Sequence, residues 1–217
     1  MRTGNVVKTA TGYLLAGLIV AGTGLSQQAR AAEEKPTVTV SLSKLNSEFH
    51  RLRENLARTM AALEQVKAAG ADNKDLAKPY EAFSSAYAEL EAQVASARQN
   101  GTAAKARAKE HWEAWQKELT SMQNPKLREK AQERYTAASG QFEKIIEKVD
   151  AAKEVFAPLA ADLKDINTYL KTDLSKDAVS SLSNTIWKMG GSARTVDKKL
   201  ADVSEQIERT IKKMPQT

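Results

Sequence analysis

The chain has 217 residues, no cysteine, five prolines, and 33 basic against 27 acidic side chains, a formal net charge of +6. The missing cysteine excludes disulfides and a lipidated N-terminal cysteine. Few aromatics with abundant Ala, Lys, Glu and Leu favour helix over sheet, and the longest β-branched alternation is only Thr37-Val38-Thr39-Val40.

The first residues have the layout of an export signal. Arg2 and Lys8 form a positive start, Tyr13 to Leu25 an uncharged apolar core, and Ala29-Arg30-Ala31 a small-x-small cleavage site. Residues 1–31 are therefore expected to be a signal peptide, and the mature protein to be exported, most simply to a bacterial periplasm. The rival reading is an uncleaved inner-membrane anchor, although the apolar core falls short of the ~20 residues of a comfortable span. Losing Arg2, Lys8 and Arg30 with the signal lowers the net charge from +6 to +3. That balance is too mild for a nucleic-acid footprint, and no nucleic-acid partner is expected.

Residues 32–40, with Pro36, read as a flexible linker, and residues 41–217 as a single elongated domain. Ser41 or Ser43 can cap a first helix whose seam is Leu42, Leu45, Phe49, Leu52, Leu56, Leu63 and Val66, with Thr59 in the one weak slot. Gly70 is expected to end it in a left-handed cap. After the polar connection ADNKDLAK, Pro79 opens a second helix with Tyr80, Phe83, Tyr87, Leu90, Val94 and Ala97 on one face. Asn100-Gly101 is a dipeptide that can end a helix or merely weaken it. The stripe resumes through Ala104, Ala108, Trp112, Trp115, Leu119 and Met122 after one extra four-residue step, so one continuous helix to about Met122 is expected.

Asn124 is a good N-cap and Pro125 suits the first position of a third helix. Its seam runs from Leu127 through Tyr135, Phe142, Ile145, Phe156, Leu159, Leu163 and Ile166 to Leu170, with Pro158 inside it as the expected site of a kink. Ser175 can cap a fourth helix, with Asp177 in its first turn and Lys212 and Lys213 in its last. Val179, Leu182, Ile186, Met189, Val196, Leu200, Val203 and Ile207 make its seam, and Gly190-Gly191 marks either close packing or a bend. The expectation is an all-α fold: an elongated antiparallel bundle of about four long helices with coiled-coil-like packing. The first and last helices are shorter than the central pair, whose surplus length would be only partly covered. An unidentified protein partner or a second copy of the chain could cover it.

In the second half the residues HWEAWQKEL, LREKAQERY and FAPLAADLKDINTYLKTDL, followed by AVSSL, resemble a bacterial family designated domain of unknown function family 2959. The resemblance runs from about Ala95 to Ile211. Its most specific features are Trp115 with Glu118-Leu119, Tyr135, Pro158-Leu159, Asp165 and Tyr169-Leu170-Lys171. Members usually read LKHNLN where this chain has LKTDLS, so Thr172 and Asp173 depart from the pattern and the family's histidine has no counterpart here. The resemblance implies an exported helical protein and carries over no catalytic residue.

Reactive chemistry finds little support in the sequence. His50 and His111 are the two histidines, and there is no Gly-rich phosphate loop, nucleophile elbow or Glu-x-x-His pair. His50 with Glu54 at i, i+4 is a weak metal pair, better read as a solvated helix face. No catalytic residue, metal or cofactor is expected. Trp112 and Trp115 read as packing that locks the turn end of the bundle, or as an exposed aromatic contact; Trp187 is read in the same way. Arg98, Lys105, Arg107 and Lys109 form a basic run that is either a solvated face or a contact for anionic lipid or envelope polymer. The functional expectation is a non-enzymatic exported bundle acting as a cell-envelope scaffold or protein-interaction module, with a peripheral membrane-surface binder as the alternative.

Overall fold

Four helices account for nearly all of the chain that the computed structural model describes, residues 37–72 and 74–214. The expected signal and most of the linker lie outside these residues. Helix α1 spans Val38–Ala71 (34 residues), α2 Ala77–Ser121 (45), α3 Pro125–Thr172 (48) and α4 Lys176–Lys213 (38). All belong to one unit, Pro36–Thr217.

The caps explain most of the boundaries. Asn124 Oδ1 accepts from the amides of Lys126 and Leu127, and Pro125 follows at the first helical position. Ser175 Oγ accepts from the Ala178 amide at 3.2 Å, while Asp177 and Lys212-Lys213 complement the dipole of α4. The start of α1 differs from the sequence reading. Thr37, not Ser41 or Ser43, is the cap, its hydroxyl accepting from the Val40 amide at 3.3 Å, so residues 38–40 are helix rather than linker. Val38 is already buried, and that packing outweighs the modest helix reluctance of β-branched residues.

Gly70 also plays a different part. It lies within α1, which continues to Ala71, and a Cβ built on it would sit 2.6 Å from Val179 Cγ1 of α4. Glycine is needed there for close approach of two helices rather than for a left-handed cap. At Gly190 and Gly191 the reverse holds. A Cβ on either would meet only the Arg194 guanidinium at 3.9 Å, so neither marks tight packing against another helix. Helix α3 passes Pro158, whose ring faces solvent, without interruption.

The helices form a closed four-cornered bundle. α1 packs on α2 and α4, α4 on α3, and α3 more thinly on α2; neither diagonal pair approaches closely among the described residues. Every neighbouring pair is antiparallel. Arg53 of α1 meets Asp197 of α4 in a two-point pair at 2.7 and 3.2 Å, and nearer the other end Thr39 Oγ1 reaches Met214 Sδ. Tyr80 lies against Asn167, and Tyr135 against Gln116, at opposite ends of the α2–α3 seam. Almost all the expected seam positions are in the core, from Leu42, Leu63 and Phe83 through Leu159 and Leu163 to Ile186 and Ile207. Leu127 is the exception, at 59% exposed.

A buried polar cluster accounts for the continuity of α2. Glu48 of α1 is only 4% exposed, and its carboxylate accepts from Gln93 Nε2, Ser96 Oγ and Asn100 Nδ2 of α2. Asn100 is thus held in a helical position by its side chain, while Gly101 lies beside Leu45. The dipeptide that could have ended the helix is clamped from across the interface. Thr59, fully buried, fills its weak slot by donating to the carbonyls of Asn55 and Ala86.

Candidate functional site

The unequal helix lengths create an overhang. Thr39 and Met214 bring the start of α1 and the end of α4 to one level, and Leu45 beside Gly101 sets that level on α2 near Ala108. Helix α2 continues from there to Ser121, about thirteen more residues or roughly 20 Å at the rise of an α-helix. The end of the α2–α3 hairpin therefore projects as two helices. This is the partly covered surplus expected from the sequence.

Aromatic rings hold the projecting pair together. Trp112 packs edge-on against Tyr135 at 5.9 Å and Phe142 at 6.5 Å, and Trp115 meets Tyr135 at 5.7 Å, their planes near perpendicular. The two indoles stack at 5.9 Å, and His111 lies edge-on to both. Such edge-to-face pairs add ~0.5–1.5 kcal/mol beyond simple burial. Trp112 and Trp115 remain half-buried: one side packs within the hairpin and the other meets solvent. Burial among these rings holds the His111 imidazole below its ordinary range, with Glu118 pulling weakly the other way. Leu127 is exposed because no α1 or α4 residue reaches this far to cover it.

Below the overhang α2 and α3 part to leave a cleft of about 310 Å³. Leu90, Val94, Phe156 and Leu163 give it an apolar floor, and Ala95, Ala160 and Ala161 keep it open. Arg98 stands on its α2 wall and Lys164 on its α3 wall. Glu91, the one acid among the described residues that line it, accepts from Tyr87 Oη at 2.7 Å. Burial, and secondarily that bond to Glu91, raises the Tyr87 phenol well above its usual range, so Tyr87 stays a donor.

The basic run divides. Arg107 is paired with Glu110 at 2.7 Å, and Lys109 lies 3.9 Å from Glu113. Arg98 and Lys105 are exposed, seven residues apart on one face of α2, and carry no acid partner among the described residues. The sequence showed the run but not this split. It also did not show Phe156, Ala160, Ala161 and Lys164 as the facing wall, which follows only from the register of α3 on α2. Trp187 corrects the reading given to it: at 72% exposed it is not core, because Ile186 takes the seam and the next residue points about 100° away. His50 is exposed, 4.0 Å from Glu208 of α4. No group of three His, Asp or Glu side chains is gathered for a metal among the described residues, nor is any described helix long and apolar enough to cross a membrane.

No curated protein and no solved structure matches the chain. A family profile does, over residues 36–215, and it spans all four helices. The chain belongs to the family described as "Protein of unknown function (DUF2959)".

Proposed function

We propose that the protein is a non-enzymatic interaction module of the cell envelope, a helical spacer whose α2–α3 hairpin end is the contact end. The observation that carries this reading is the overhang: two helices outrun the other two and present half-buried Trp112 and Trp115 with exposed Leu127. Exposed aromatic and apolar side chains on a rigid projecting element are typical of contact surfaces. Export to the periplasm is part of the proposal and is supported by Arg2, Lys8, the apolar core from Tyr13 to Leu25 and the Ala29-Arg30-Ala31 site.

Photocrosslinking in intact cells tests it. A photoreactive residue at position 127 should give discrete adducts, lost when Trp115→Ala is added, while the same probe at Glu81 near the opposite end gives none. Equal labelling from both positions would defeat the reading.

Arg98 and Lys105 favour a second reading, a peripheral binder of anionic surfaces through one face of α2. Salt-sensitive co-sedimentation with anionic but not neutral vesicles, weakened by Arg98→Glu with Lys105→Glu, is its expected signature. Sedimentation unchanged by the two charge reversals would remove it.

A further inference from the structure

The α2–α3 cleft is a site in its own right, separate from the hairpin end. We infer that it binds a single-chain anionic amphiphile, with the acyl chain along the floor and the acidic head on Arg98. The volume of about 310 Å³ lies at the lower end of the ~300–1,000 Å³ range of small-molecule sites, and is far too small for a partner's helix.

Three observations fix the chemistry of the occupant. The floor of Leu90, Val94, Phe156 and Leu163 offers an apolar path between two long helices, so the occupant is a chain rather than a compact polar solute. The alanines at 95, 160 and 161 leave that path open where larger seam residues would close it. Finally, the charge at the walls is cationic and uncommitted. Arg98 and Lys164 have no acid partner among the described residues, whereas Glu91 is engaged by Tyr87. Arg98 lies two turns from Glu91 on the same face of α2, about 10 Å along the axis, so the two charges do not cancel. A guanidinium can take a carboxylate or phosphate in a two-point bond, and its stem can lie along the apolar wall.

The inference does not depend on the hairpin end being a contact surface, and it differs from bilayer attachment. It asks for one chain per protein, taken up from monomeric ligand. Nor does it use Arg107 or Lys109, which are paired on their own helix.

Titration of the full chain with cis-parinaric acid, below its critical micelle concentration, tests the site. Saturable fluorescence enhancement with one site is expected, and the uncharged methyl ester should bind at least tenfold more weakly. Arg98→Gln should weaken the acid by about the same factor and leave the ester unchanged. Ala161→Phe and Ala95→Phe, both at exposed positions that tolerate a larger side chain, should abolish binding of acid and ester alike with unchanged helicity. Binding that survives both phenylalanine variants would overturn the proposal, as would equal affinity for acid and ester. So would association with anionic vesicles alone and not with monomeric acid, which would assign Arg98 to a membrane surface instead.

Discussion

The two sides of the bundle are built differently. On the α1 side, α1 packs closely on both α2 and α4, and two of its polar groups tie it to those neighbours: Glu48 clamps α2 and Arg53 holds Asp197 of α4. Asn46 Oδ1 of α1 is buried without a partner among the described residues. On the opposite side α2 and α3 pack more thinly, with Tyr80 on Asn167 near one end of their seam and the tryptophans on Tyr135 near the other. Between those ends lies the cleft, and the tryptophan end is itself part of the overhang. The difference teaches where stability and accessibility reside in this fold. The α1 side is the more closely packed, and the α2–α3 side is the more open.

The largest test of that contrast is to truncate one aromatic on each side. Phe83 is fully buried in the main core, and Phe83→Ala should cost ~3–5 kcal/mol in urea unfolding. Trp115, half-buried at the overhang, loses ring contacts and only part of a side chain's burial, so Trp115→Ala should cost less, about 1–2.5 kcal/mol. Comparable losses would show that the hairpin end belongs to the cooperative core. The clamp on the α1 side comes next. Glu48→Ala leaves the amides of Gln93 and Asn100 and the Ser96 hydroxyl without their shared acceptor, a cost of ~1–3 kcal/mol. Amide exchange around residues 100–101 should accelerate more than the global loss accounts for, because the glycine helix there loses its cross-helix support. Uniform acceleration along α2 would mean that Glu48 acts on the bundle as a whole.

The helices were legible because each carries its own period and its own caps; Asn124-Pro125 and Ser175 with Asp177 are local signals that need no tertiary context. Places where the reading failed depend on what stands opposite. Gly70 looks like a cap until Val179 is seen against it, and Thr37 looks like linker until Val38 is seen to be buried. Trp187 and Leu127 look like core because they lie in or beside a seam, but exposure is decided by whether a facing helix is present at that level. Glu48 gave no sign at all. A lone acid beside Phe49 gains its meaning only when the register sets Gln93, Ser96 and Asn100 across from it. The cleft is a stronger case still, since it is made by alanines at 95, 160 and 161, which are unremarkable residues in any helix.

Glycine substitutions sharpen the comparison at smaller amplitude. Gly70→Ala must push against Val179 and should destabilise by ~1–3 kcal/mol, less the ~1 kcal/mol that alanine returns in helix propensity. Adding Val179→Ala should remove the clash, so the double variant should fall below the sum of the two single losses. Gly190→Ala meets only the flexible end of Arg194 and should stabilise α4 by up to about 1 kcal/mol. A loss at Gly190 would place an unseen partner against that surface.

The smallest expected effect is a titration confined to the overhang. Burial beside Trp112 and Trp115 holds the folded His111 pKa below the ~6.5 of an unfolded chain. The unfolded state therefore takes up a proton more readily, and acid favours unfolding. Stability from this group is complete above about pH 6.5 and declines as pH falls through the unfolded value towards the lower, folded one. Carboxylates also titrate at the acid end, so the quantity to measure is the difference between the wild type and His111→Gln. The wild-type urea midpoint should drop more between pH 7.5 and pH 5 than that of the variant. The effect should be slight, since the imidazole is still substantially exposed. A steeper acid loss in the variant would mean that protonated His111 is stabilised in the folded state, with Glu118 outweighing the rings. The aromatic cluster would then be an open surface feature rather than a packed one, and the hairpin end would owe its rigidity to the two helices alone.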